Sequence, residues 1–100
     1  MRRGTTTTLT FGIGFDSETI EVLNIAFEQN KKIVLEKTLG DCLLNGNEIL
    51  LPLSELDTLS LTGSTLVNIQ IRARLKNGDR IASNIMEGFV ERIIKDGELT

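Results

Sequence analysis

The sequence predicts an all-β protein, an antiparallel two-sheet sandwich of immunoglobulin-like architecture with about seven strands and one short helical turn near residues 54–59. Three observations carry this prediction. Short runs of alternating apolar and polar residues recur along the chain. Turn signals separate the runs roughly every ten residues. Only one helical turn has a clear start, at Ser54.

The clearest strand is residues 65–75. Val67, Ile69, Ile71, Ala73 and Leu75 point one way, and Asn68, Gln70, Arg72 and Arg74 the other. One face is therefore dry and one wet. A turn around Asn77 and Gly78 follows, and residues 80–85 run back to make a β-hairpin. Residues opposite each other in a hairpin share a sheet face, so the loop length decides which faces meet. A two-residue loop of Asn77 and Gly78 sets Leu75 opposite Arg80 and Arg74 opposite Ile81, a charge beside an apolar group each time. A three-residue loop, 76–78, sets Ala73 opposite Ile81, Ile71 opposite Ser83 and Ile69 opposite Ile85. That match of dry faces selects the longer loop, with Gly78 in the left-handed position of a bulged turn. It also brings Arg74 opposite Arg80 on the wet face, a repulsion that solvent screens.

The other elements follow in chain order. Residues 2–4 read as a mobile start. Residues 5–11 are threonine-rich and β-branched, with Thr5, Thr7, Leu9 and Phe11 on one face, which suits a strand at a sheet edge. Gly12 and Gly14 make a loop; without a third glycine or a strand–helix frame they are no dinucleotide site. Residues 16–18 read as a turn. Residues 20–29 are a strand with Leu23, Ile25 and Phe27 inward and Asn24, Ala26 and Glu28 outward. Residues 30–32 turn and 33–38 return, in a register left open because Ile33, Val34 and Leu35 are all apolar. Asn45 and Gly46 form a second hairpin loop that sets Cys42 opposite Ile49, which makes Cys42 a small core residue. Ile49, Leu51 and Leu53 are its dry face, and Pro52 puts this strand at an edge or ends it there.

Ser54 caps the helical turn, whose Glu55 and Asp57 suit its positive end. The turn carries the chain from one sheet to the other, and Leu56, Leu59 and Leu61 plug the core's end. Residues 84–95 admit two readings. Ile85, Met86, Phe89, Val90, Ile93 and Ile94 have helical spacing. Gly88 would weaken that helix and suits an irregular strand better. The strand is predicted, switching faces at a bulge near Ile85 and Met86, with a closing turn at 93–97.

Composition narrows the function. One hundred residues, 40% apolar and 25% charged, make one folded domain, 1–100. The chain has no His, so it has no His-activated nucleophile and no His metal ligand. It has no Trp or Tyr for a sugar platform or base stacking. The net charge of -3 argues against nucleic acid and anionic membrane as partners. No apolar run approaches the roughly 20 residues of a membrane span. A single Cys excludes an internal disulfide, which fits a reducing compartment or a virion assembled in one. No carboxylate pair or Ser–Lys pair has telling spacing, so the expectation is no enzyme, no cofactor and no metal. The candidate docking residues are Arg72, Arg74 and Arg80, a basic stripe on the wet face of an acidic protein. The plainer alternative is a solvated face whose arginines pair with nearby carboxylates.

Several stretches also carry a family likeness. Residues 3–8, 27–31, 57–59, 69–72, 82–84 and 95–97 together resemble a group of small prophage-encoded β-sandwich proteins of Gram-positive gut bacteria, associated with tail or baseplate gene clusters. The likeness spans nearly the whole chain, but its motifs are turns, caps and alternation, and it transfers no catalytic residue. It implies a structural or interaction protein, a virion or assembly component, located in the host bacterial cytoplasm or the virion. The implied partner is protein, either a tail component or a second copy in a homo-oligomer. The alternative function is a carbohydrate-binding or host-attachment module.

Overall fold

The computed structural model describes residues 1–99. Eight strands form two antiparallel sheets: β1 (Thr7–Gly12), β2 (Ile20–Gln29), β3 (Lys32–Thr38), β4 (Leu43–Asn45), β5 (Glu48–Leu53), β6 (Thr65–Leu75), β7 (Arg80–Ala82) and β8 (Met86–Val90). One sheet has the order β1-β5-β4; the other runs β3-β2-β6, with β7 and β8 both along the far edge of β6. The predicted sandwich is the observed fold.

Alternation builds the core. β2 turns Leu23, Ile25 and Phe27 inward, β6 turns Val67, Ile69, Ile71 and Ala73, and β5 answers from the other sheet with Ile49, Leu51 and Leu53. The chain crosses between sheets three times, and each crossing is one helical turn: 3-10 turns at Ser17–Thr19 and Leu39–Asp41, and α1 (Glu55–Leu59). Each has a local polar clamp. Asp16 accepts from the Glu18 N–H, the Thr38 N–H donates to Asp41, and Ser54 and Asp57 cap each other's N–H.

The hairpin register is the predicted one. Ala73 pairs with Ile81, Arg74 with Arg80, and Gly78 has φ +94°. The Leu75 carbonyl accepts from the Gly78 N–H, and the Leu75 N–H donates to the Asp79 carbonyl. Ser83 donates to the Ile71 carbonyl, as that register requires. Regular pairing stops there. Ile69 pairs with Met86, not with Ile85, so one extra residue lies between β7 and β8, and Ile85 is 63% exposed. Residues 86–90 are strand, and the face switch lies where the sequence put it.

Several expectations are corrected. The second loop is Gly46 and Asn47, one residue later than predicted, and Leu44, not Cys42, pairs with Ile49. Positive φ falls on Gly46, the first central residue, where a type II′ turn needs it. The open register at residues 33–35 resolves as a bulge: Glu28 pairs with Ile33 and Phe27 with Leu35, leaving Val34 as the extra residue. β5 is the middle strand of its sheet, yet β4 reaches only Leu50, so the half carrying Pro52 is flanked by β1 alone. Leu61 plugs the core as expected and Leu59 is half-buried, but Leu56 is 60% exposed and Thr58 is buried in its stead. Residues 2 and 3 are tied down. Arg2 pairs with Glu91, and Arg3 donates to the Leu61 and Leu59 carbonyls and pairs with Asp96.

Candidate functional site

The outward face of the larger sheet holds the three predicted arginines. Alternation along β6 places Arg72 and Arg74 on this face, and the three-residue loop brings Arg80 beside Arg74. Across β2, Asn24 stands opposite Arg72 and Val22 opposite Arg74. With Val22, Asn24 and Ile81, the arginines line a shallow depression of about 200 Å³. Arg74 donates to Glu21 Oε1 at 2.9 Å. Arg72 and Arg80 have no ion-pair partner among the described residues. The stripe is therefore one neutralised arginine flanked by two open ones.

The same face continues along β6 and changes sign. Past Gln70, Asn68 stands between Glu28 of β2 and Glu87 of β8. Glu36 of β3 lies opposite Ala26, one strand further out. Glu28 accepts from the Asn68 amide and Glu36 from the Asn24 amide, but Glu28, Glu36 and Glu87 have no ion-pair partner among the described residues. Beyond the carboxylates, Leu66 and Phe89 sit opposite each other, each about half exposed. The face thus runs from arginines through amides and carboxylates to an apolar end. Sequence reasoning missed the acidic end because its residues come from three strands. The apolar run 33–35 leaves the β2–β3 register open, and Glu87 joins the row only through the pairing of β8 with β6 after the irregular segment 83–85. Glu28 alone had a signal, since it falls on the outward set of β2.

Two other features bear on chemistry. A cleft of about 410 Å³ opens between the edges of β1 and β7. Phe11, Ile13, Phe15, Ile81 and Met86 line it, Thr10 and Ser83 are its polar side chains, and no charged residue borders it among the described residues. Cys42 is half-buried, and its Sγ lies 3.4 Å from the Thr38 carbonyl, to which it donates. Burial first, then the Asp41 charge, push its thiol up, against the opposing Lys37 ammonium. A raised thiol is a poor nucleophile. Among the described residues no group of His, Cys, Asp and Glu is placed to hold a metal ion. No helix among them is long and apolar enough to cross a membrane.

No family model, curated protein or solved structure matches the chain. The functional reading therefore rests on the face itself and on the likeness noted from the sequence.

Proposed function

We propose that this chain is a non-enzymatic structural or interaction protein, a component of a phage or prophage tail or baseplate assembly, that docks onto a carboxylate-bearing protein surface through Arg72, Arg74 and Arg80. One observation carries the docking reading: on a protein of net charge -3, three arginines converge on one exposed patch and, among the described residues, only Arg74 has an ionic partner. Exposed arginines on a flat sheet face steer and orient an acidic partner more than they tighten it. The sandwich also leaves edges at β1, β4 and β3, which suits a part in a larger assembly. The phage setting rests on the family likeness, and the non-enzymatic reading on a chain without His.

The test is binding to proteins encoded beside this chain's own gene, measured at low and high salt. Arg72→Glu and Arg80→Glu should each weaken capture, and salt should weaken it for the unaltered chain. Binding that neither substitution nor salt alters would overturn the arginine patch as the docking site. Glycan titrations producing NMR shifts would favour the host-attachment alternative instead.

A further inference from the structure

Resting on the docking reading above, we infer that the face is self-complementary and that its partner is a second copy of this chain, bound face to face about a twofold axis that crosses the strands at Gln70. The observation behind this is the change of sign along one face. Arg72 and the Glu28–Glu87 row are four residues apart along β6, roughly 13 Å of extended chain. Arg72, Glu28 and Glu87 have no ion-pair partner among the described residues. A partner bearing only carboxylates would satisfy the arginines and meet repulsion from Glu28 and Glu87 on the same face. The arrangement selects a surface of the same two signs in reverse order, and a second copy turned end for end has it.

The twofold operation fixes the contacts. Gln70 lies near the axis and faces its own copy; Glu36, level with it on the outer strand, does the same at the rim, where solvent screens the repulsion. Arg72 of each copy meets Glu28 and Glu87 of the other. Arg74 and Arg80 come over Phe89 and Leu66, where the Phe89 ring can receive a guanidinium. Every contact occurs twice, because an isologous interface uses one patch on both copies. The face is four strands wide, and between Leu66 and Arg74 it offers roughly 500 Å² per copy. That is below the roughly 800 Å² per partner of a stable complex, so the dimer forms at high concentration and dissociates on dilution.

The test uses the full chain in sedimentation or light scattering across concentration, with circular dichroism to confirm folding of each variant. At low salt the chain should dimerise, and salt should reverse it. Arg72→Glu and Glu87→Arg should each raise the dissociation constant by about tenfold or more, since each change breaks two contacts. An equimolar mixture of the two variants should restore dimers, because the charges at positions 72 and 87 are then opposite across the axis. The double variant should dimerise with itself for the same reason. A chain that stays monomeric at high concentration and low salt overturns the self-complementary face; the docking reading is then judged by its own binding experiment. A dimer weakened by Arg72→Glu but not by Glu87→Arg, and not restored by mixing, overturns the twofold arrangement and keeps the arginine patch. A dimer indifferent to both substitutions forms through another surface and overturns the inference, while the arginine patch is still judged by the binding experiment above.

Discussion

The Gln29 carboxamide closes the end of β2 by imitating a strand neighbour. Its Nε2 donates to the Thr62 carbonyl at 3.0 Å, and its Oε1 accepts from the Thr62 N–H at 2.8 Å. The residue is buried, so water does not replace these bonds. Gln29→Met keeps the bulk and leaves both Thr62 groups unpaired. It should destabilise by about 1–3 kcal/mol in chemical unfolding. Thr58 does similar work in the same crossing: its hydroxyl donates to the Thr5 carbonyl and accepts from the Thr5 N–H. Gly78 is a backbone case. Its φ of +94° closes the β6–β7 loop, and nothing crowds the site of a Cβ. Gly78→Val should therefore destabilise through left-handed strain alone, by about 1–2 kcal/mol. An unchanged unfolding midpoint would refute that strain.

At the scale of elements, the helical crossings are held by their caps. In α1, Asp57 Oδ2 accepts from the Ser54 N–H at 2.9 Å, and Oδ1 pairs with Lys37 of β3 at 2.9 Å. The clamp thus ties the crossing to the sheet the chain is about to join. Burial alone would raise the Asp57 carboxyl, but the Ser54 N–H and the Lys37 ammonium outweigh it and hold it below its ordinary value. The sign follows. A carboxyl depressed in the folded state binds its proton more readily when unfolded. Its stabilisation is full above the ordinary value of 3.8 and is lost as pH falls through the lower folded value. The stability advantage of the unaltered chain over Asp57→Asn should hold at neutral pH and shrink below pH 3.8 in thermal unfolding across pH. An advantage that does not change with pH would remove Asp57 as the titrating clamp.

Over the whole molecule, β2 and β6 form the spine. They pair from Ile20 with Leu75 to Glu28 with Asn68, and each has a second partner along its other side. β4 and β7 contribute three residues each and have one neighbour. Amides in the middle of β2 and β6 should therefore exchange with deuterium slowest, and those of β4 and β7 fastest. Equal protection of β7 and β6 would contradict this layout. The spine also carries the candidate docking face. A long paired strand holds Arg72 and the carboxylate row at a fixed separation, which a loop could not do.

The sequence by itself determined the sandwich, the faces of β2, β5 and β6, the three-residue hairpin loop and the cap of α1. These are local properties: alternation has a period of two, a loop length couples two adjacent strands, and a cap spans three residues. It therefore placed Arg72, Arg74 and Arg80 together correctly. It placed Cys42 opposite Ile49 because either Asn45 and Gly46 or Gly46 and Asn47 make an acceptable two-residue loop, and only contacts outside the hairpin choose between them. Two such contacts run from the Ser17 N–H to the Gly46 carbonyl and from the Ile13 N–H to the Asn47 carbonyl. Tertiary structure alone decided the bulge at Val34, the anchoring of Arg2 and Arg3, and the row of Glu28, Glu36 and Glu87. The arginine anchors and the Glu87 end of the row depend on pairing between segments far apart in the chain. The β2–β3 register, though local, runs through three consecutive apolar residues, Ile33 to Leu35, so that core packing and not alternation chooses which one bulges.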